Sequence, residues 1–271
     1  MAKSAKPRPL ALITGASGGI GESLAVRFAR AGYDVALAAR TAEGLAATAR
    51  RCEALKATAH VFRVDLQDPA GGAALEGAVR AAGLSPAVLV NNAGYGVLSP
   101  FKDAELDGQL GMVDLNVRAL TELCRRFSPD VINHKGGVLN VASTAAFQPG
   151  PGMAVYFASK AYVLSFSEAL DYELKRVGAH CTCLCPGPVE TGFQARAFSG
   201  PTPARARRRD ARTLTADQVA DAGFRAFKGR RPVVIPGGAN AWLAWLVGVL
   251  PRASVLKMVA GAYYREPKPA E

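Results

Sequence analysis

The sequence predicts one α/β domain, a doubly wound parallel sheet of about seven strands with helices on both faces. Three observations predict it. Short, continuously apolar runs alternate with longer segments of helical spacing along most of the chain. A glycine cluster closes the first of those runs. At 271 residues, with 49% hydrophobic content and 28 glycines, the chain can bury such a sheet as a single unit spanning residues 1–271.

Taken in order, residues 1–9 carry Lys3, Lys6 and Arg8 and read as a basic, flexible tail. They resemble the charged start of a signal peptide. The apolar run that follows, Leu10–Ile13, is only four residues long and ends in glycines, which makes it a strand. Leu24, Phe28 and Ala31 before Gly32 mark a helix, and the next strands are Asp34–Ala39, His60–Val64, Ala87–Asn91 and Gly137–Ala142. A helix with Leu164, Ala169, Leu170 and Leu174 before Gly178 precedes the strands His180–Cys185 and Val233–Ile235. Apolar strands joined by helices require a parallel sheet with right-handed crossovers. Residues 199–214 break the alternation, being rich in Pro, Gly and Arg, and read as a lid. Residues 240–265 form a C-terminal helical extension in which Leu243, Leu246, Val247 and Leu250 have helical spacing. Packing on the protein's own core is the expected role of that face, with a subunit contact or a membrane surface as alternatives.

Composition narrows the function classes. The formal net charge is +11, yet charged residues make up only 20% of the chain, an ordinary globular composition. No recognition motif accompanies the basic residues, so no nucleic-acid partner is expected. The apolar stretch Ala241–Leu250 is well short of the ~20 residues of a membrane span. A soluble, cytoplasmic protein is expected. Five cysteines, without a secretory signature, argue against a disulfide framework. Cys181, Cys183 and Cys185 alternate along one strand face and lack a fourth ligand, so they read as core and no metal is expected.

Ligands of such sheets bind beyond the carboxyl ends of the strands, and the chemically notable residues fall there. In Thr14–Gly21 the glycines Gly15, Gly18, Gly19 and Gly21, with Ser17 and Ile20, allow a tight turn onto a helix whose free N–H groups suit a pyrophosphate. Gly15–Gly19 also match the Gly-x-Ser-x-Gly elbow of hydrolases. That reading fails for want of a base, since His60, His134 and His180 are not placed in a late loop after a strand. Arg40 ends the second strand where an acid would bind the ribose of NAD(H), and an arginine there suits the 2′-phosphate of NADP(H).

Tyr156 and Lys160 are four apart and share a helix face. A phenol is a poor base at neutral pH. A nearby ammonium and a cationic nicotinamide would both favour the phenolate, making Tyr156 a general acid or base. Ser143, just after a strand, is placed to hold a substrate oxygen. Asn116, in Asp114-Leu-Asn-Val117, is placed to interrupt a helix ladder and hold a water toward Lys160.

These residues, in this order, resemble the short-chain dehydrogenase/reductase family, and the resemblance runs from the glycine turn through Asn91–Gly94, Asn116, Ser143, Tyr156, Lys160 and Pro186–Gly187 to Thr191. It implies a Rossmann-type sheet, with Asp65 and Leu66 near the adenine and Asn92, Ala93 and Gly94 beside the adenosine ribose. It further implies Pro186, Gly187, Val189 and Thr191 against the nicotinamide and its phosphate, Lys160 on the nicotinamide ribose, and a homodimer or homotetramer. The sequence departs from the NADP-preferring pattern in having Ser17-Gly18 where some members place a basic residue. Its tail resembles that of bacterial lipid-related and steroid-dehydrogenase-like members. Tyr95, Phe147, Pro149, Met153, Phe193 and Phe198 are expected to line the substrate side and suit a lipophilic carbonyl or alcohol. The Arg205–Arg212 cluster reads as a solvated part of the lid, with an acidic head-group clamp as the alternative. A non-catalytic dinucleotide sensor of the same fold is the second functional reading, and it would typically lack the tyrosine or the lysine.

Overall fold

The first strand, β1 (Leu10–Thr14), runs Leu-Ala-Leu-Ile-Thr with every residue buried, because both of its faces meet apolar neighbours. The later strands are β2 (Asp34–Ala39), β3 (Ala59–Arg63), β4 (Val88–Asn91), β5 (Gly137–Val141), β6 (Cys181–Leu184), the short β7 (Val189–Glu190) and β8 (Leu214–Thr215), and β9 (Val233–Val234). In this computed structural model, which describes residues 8–190 and 213–264, seven of them form one parallel sheet in the order β3-β2-β1-β4-β5-β6-β9. The order reverses between β1 and β4, which opens a crevice at their carboxyl ends. Strand ends differ from the sequence expectation by about one residue, which is usual. The β7–β8 pair was not foreseen, because two-residue strands carry no periodicity.

The helices are α1 (Gly19–Arg30), α2 (Ala42–Glu53), α3 (Gly71–Ala81), α4 (Leu106–Val113), α5 (Leu120–Asn133), α6 (Ala154–Lys175), α7 (Ala216–Lys228), α8 (Gly238–Val249) and α9 (Arg252–Tyr263). Alternate strand residues sort onto two cores. Ala11, Ile13, Val35 and Leu37 pack with Leu24, Phe28, Leu45, Phe224 and Phe227 under α1, α2 and α7. Leu10, Leu12, Ala36 and Ala38 pack with Leu75, Leu123, Phe127 and Val163 under α3, α5 and α6. Cys181, Cys183 and Cys185 are fully buried in the second core, as their alternation implied. Across the first face, α1 and α7 are joined by Ser23 Oγ donating to Asp217 (2.7 Å), by Arg27 Nε donating to Asp221 (2.7 Å) and by Phe28 edge-on to Phe224.

Two expectations about the ends need correction. Arg8 is no loose tail residue: its guanidinium donates to the carbonyls of Lys56, Ala29 and Tyr33 and lies 3.5 Å from Asp34. Leu214, assigned to the lid, instead pairs with Val189 and packs on the first core. The rest of the lid and the Arg205–Arg212 cluster lie outside the described residues. In α8, Val247 and half-buried Leu243 turn inward as expected. Leu250 does not, because Pro251 ends the helix and carries it outward.

Between β4 and β5 the sheet carries a buried polar bridge. Asn91 Nδ2 donates to Asn140 Oδ1 (2.9 Å), and Asn140 Nδ2 donates to Ser167 Oγ (2.9 Å) on α6. All three side chains are buried. Replacing Asn140 by Ala strips Asn91, whose Oδ1 already lacks a partner, of its amide acceptor. The Asn140→Ala protein is expected to lose about 2–4 kcal/mol of stability, read from its urea midpoint at unchanged m-value.

Candidate active site

The site is built from the carboxyl edge of the sheet outward. After β1 the chain turns through Gly15 and Gly19, whose φ of +64° and +57° only glycine adopts without strain. Thr14 Oγ1 accepts from the backbone N–H groups of Asn92 (3.0 Å) and Ala93 (3.1 Å). Asn92 Nδ2 in turn donates to the carbonyls of Thr14 (3.0 Å) and Gly15 (3.2 Å). The first turn and the segment after β4 are thus braced against each other. Asn92, expected beside the ribose, spends its amide nitrogen on this brace. The start of α1 has no side-chain cap, and a Cβ built on Gly18 would meet nothing within 4 Å. Open backbone and uncapped N–H groups fit a pyrophosphate over Ser17, Gly18, Gly19 and Ile20. Gly21 keeps the helix close to the turn, since a Cβ there would strike the Gly15 carbonyl oxygen.

Farther along the edge, Arg40 and Asp65 follow β2 and β3, 3.8 Å apart and both largely exposed. Arg63 Nε donates to the Arg40 carbonyl (3.2 Å), adding a second cation nearby. Leu66 and Val189, expected against the cofactor, bury their side chains in the two cores, so only their backbones can face a ligand. The physical reason is their apolar character beside strand ends. Pro186 offers its carbonyl to Thr144 N–H (2.8 Å) and to Ser143 Oγ (3.4 Å). Gly187 packs so closely on Asn240 that a Cβ would lie 2.6 Å from its side chain. Thr191, Phe193 and Phe198 lie outside the described residues.

Ser143, Tyr156, Lys160 and Asn116 are brought together. Ser143 leaves β5 in extended backbone, and its Oγ accepts from Ala145 N–H (3.1 Å), which fixes the hydroxyl at the sheet edge. The Ser143 hydroxyl is near enough to the Tyr156 phenol to favour its ionised form. Tyr156 and Lys160 share the buried face of α6, with Lys160 Nζ 5.9 Å from the tyrosine ring centre and donating to the Val141 carbonyl (2.9 Å). Burial pushes the Tyr156 phenol up to about 12 against the opposing effect of the Ser143 hydroxyl. Burial also pulls Lys160 down to about 8. The ammonium at this distance does not overcome the loss of water around the phenol, so Tyr156 is protonated at neutral pH.

Asn116 sits in a π-helical turn, Asp114–Ala119, between α4 and α5, where the ladder is interrupted as its sequence context suggested. Its Oδ1 accepts from Tyr95 N–H (3.1 Å), and its Nδ2 donates to the Tyr95 carbonyl (2.9 Å) and to Ser159 Oγ (3.0 Å). Ser159 Oγ donates on to the Tyr156 carbonyl (2.7 Å). Ser159 was not singled out by sequence, although its place three residues after Tyr156 and one before Lys160 was a usable signal. Gly94 lies between these groups: a Cβ there would be 2.9 Å from Asn116 Oδ1 and 3.5 Å from Lys160 Nζ.

Tyr156 joins an apolar cluster of Met112, Ala145, Met153, Phe157, Val247, Val255 and Val259, with Tyr95 and Leu243 packed against it. Tyr95 and Met153 pack beside Tyr156, whereas Phe147 packs on the second core. The inward packing of Leu243 and Val247 was expected, but not that it would reach Tyr156; the share of α9 was missed, and its signal was the four-residue spacing of Val255 and Val259. None of the three histidines serves Ser17 as a base. His134 bonds Ser85 and His180 bonds the Phe227 carbonyl, while His60 lies near the start of β3.

A glycine turn at the switch point of a parallel sheet, near a half-buried Ser143 and buried Tyr156 and Lys160, defines an α/β protein of the dinucleotide-binding fold class. The chain belongs to the short-chain dehydrogenase family, whose model matches residues 9–201. It is 30% identical over 258 residues to a probable oxidoreductase, EphD, of Mycobacterium tuberculosis, covering 90% of this chain but only 43% of that longer protein. A short-chain dehydrogenase from Sphingobium yanoikuyae, solved with NADPH, is similar at 32% identity and a TM-score of 0.75, over 90% of this chain and 97% of that one. A bulky-bulky ketone specific alcohol dehydrogenase from Comamonas testosteroni is similar at 29% identity and 0.74, over 92% and 97%. Solved relatives hold NADPH in some cases and NAD in others. Among the described residues no helix is long and apolar enough to cross a membrane, and no cluster of metal-ligating side chains occurs.

The depressed Lys160 value carries a stability prediction. A lysine whose folded value lies below its unfolded one destabilises the fold at low pH, and that cost fades as pH rises toward the unfolded value. Lys160→Met should therefore raise stability at pH 7 by about 1–3 kcal/mol and by less than half of that near pH 10. Denaturant midpoints at the two pH values check it.

Proposed function

We propose that the chain interconverts a lipophilic carbonyl compound and the corresponding secondary alcohol, using NADP(H) in preference to NAD(H). The observation that carries the reading is the buried Tyr156 phenol, set in an apolar cluster beside Lys160 and under the influence of the half-buried Ser143 hydroxyl. A nicotinamide cofactor, when bound, supplies or accepts the hydride at the substrate carbon. Ser143 holds the substrate oxygen by a hydrogen bond. Tyr156, protonated at neutral pH, donates its proton to that oxygen as negative charge develops in the reductive direction, and takes it back in the oxidative one. Lys160 holds the cofactor ribose and stabilises the phenolate formed transiently. Asn116, through Tyr95 and Ser159, positions the helix that carries both.

Support for NADP(H) comes from Arg40, with no acid at the end of β2 and Arg63 beside it. The exposed Arg40–Asp65 pair is weak, so a 2′-phosphate competes for the guanidinium on favourable terms. Support for a lipophilic substrate comes from the side chains around Tyr156 and from the likeness to the bulky-ketone enzyme. A homodimer or homotetramer built on α6 accords with its exposed Tyr162 and Tyr172.

Tyr156→Phe should lower NADPH-dependent ketone reduction about 10²–10⁴-fold while NADPH binding, followed by fluorescence titration, changes little. If the unaltered protein binds NADPH yet turns over no member of a carbonyl panel, the sensor reading replaces this one. Turnover confined to small polar aldehydes would sink the lipophilic substrate. Arg40→Ala should cut the NADPH-over-NADH ratio of kcat/KM about 10–100-fold, and Asp65→Asn should raise it.

A further inference from the structure

The helices α8 and α9 turn their inner faces to the Tyr156 cluster and, among the described residues, leave their outer faces uncovered. On α8, Ala244, Val247 and the buried Asn240 point inward. At about 100° per residue, Trp242, Trp245 and Val249 fall within one stripe about 60° wide on the opposite side. They are 61%, 63% and 60% exposed. Leu250 at the end of α8, and Leu256 and Met258 on α9, are also exposed. Single exposed apolar residues are ordinary, but two tryptophans and four aliphatic side chains on two consecutive helices are not.

Charge says what covers this face. From Ala222 to Arg265 the chain contains no Asp or Glu, against seven Arg and Lys. Two of these, Arg252 and Lys257, are exposed on α9, and Lys257 stands between Leu256 and Met258. A second copy of the chain would bring these cations against their own kind with no acid in the segment to pair them. An anionic bilayer offers both what the tryptophans require, an apolar layer edged by water, and what the cations require. Each helix has 12 residues, about 18 Å, far less than the ~30 Å hydrocarbon core, so the pair can lie in the interface but not cross it.

We infer that the outer face of α8–α9 docks the protein on an anionic lipid surface. Trp242 and Trp245 enter the headgroup layer, while Arg252 and Lys257 pair with lipid phosphates. Because Val247, Val255 and Val259 line the cluster around Tyr156 from the other side, docking sets the substrate side next to the bilayer. The inference goes beyond the catalytic reading and does not depend on it.

Trp242 and Trp245 are the only tryptophans in the chain, so its tryptophan fluorescence, excited selectively over the seven tyrosines, reports on this face alone. The full-length protein is titrated with phosphatidylcholine vesicles containing one third phosphatidylglycerol, and with phosphatidylcholine vesicles alone. The expected result is a blue shift, quenched by brominated acyl chains, with partitioning about 10–30-fold weaker when the anionic lipid is left out. R252E/K257E, which keeps both tryptophans, should lose the shift, and W242S/W245S should no longer sediment with vesicles. Three outcomes overturn the inference: no shift on anionic vesicles, an equal shift for the charge-reversed variant, or a lipid-independent blue shift that grows with protein concentration and marks a second copy on this face. None of these readouts involves turnover.

Discussion

The Asn116 carboxamide is the joint on which the site depends. It closes a two-way hydrogen-bonded clamp on the Tyr95 backbone and reaches Ser159 on α6, so the segment after β4, the π-turn and the helix bearing Tyr156 and Lys160 meet at one amide. Each bond contributes about 1 kcal/mol net, but leaving any of these buried groups unpaired costs about 1–3 kcal/mol, so the arrangement holds together or fails together. The π-turn is the local cost of bringing that amide inward, and such turns are tolerated where function holds them. A second brace, between Thr14, Gly15 and Asn92, does the same for the phosphate turn.

Exclusion of water then sets the chemistry. The same desolvation raises Tyr156 to about 12 and lowers Lys160 to about 8, because it penalises a phenolate and an ammonium alike. In the protein alone the pair is therefore a phenol beside a lysine that releases its proton easily. The sequence reading expected the ammonium to favour the phenolate. That effect is outweighed by burial, which leaves the tyrosine a phenol, the form the proposed reduction needs.

The apolar wall around Tyr156 has two origins. Met153, Phe157 and Ala145 come from the core of the dehydrogenase fold, whereas Val247, Val255 and Val259 come from the C-terminal helices. Those helices bury one face each and show the other to solvent, so the elements that complete the wall around Tyr156 also carry exposed Trp242, Trp245, Leu250 and Leu256.

Much of this was legible along the chain. Continuous apolar runs sufficed for the parallel sheet, since a strand buried on both faces must read that way, and the alternation of Cys181, Cys183 and Cys185 sufficed to place them in the core. Gly15–Gly21, Arg40, Ser143, Tyr156 and Lys160 were legible because each follows a strand end or a helical spacing that needs no knowledge of distant residues. What the sequence could not determine depends on residues far apart in it. Asn92 bracing Gly15, Ser159 linking Asn116 to Tyr156, Arg8 holding three carbonyls, and Leu66 and Val189 turning into the core are all decided by which elements come to lie side by side. Periodicity records only the face a residue shares with its near neighbours. The partner across the crevice, and the water excluded between them, exist only once the sheet has closed and the helices have packed on it.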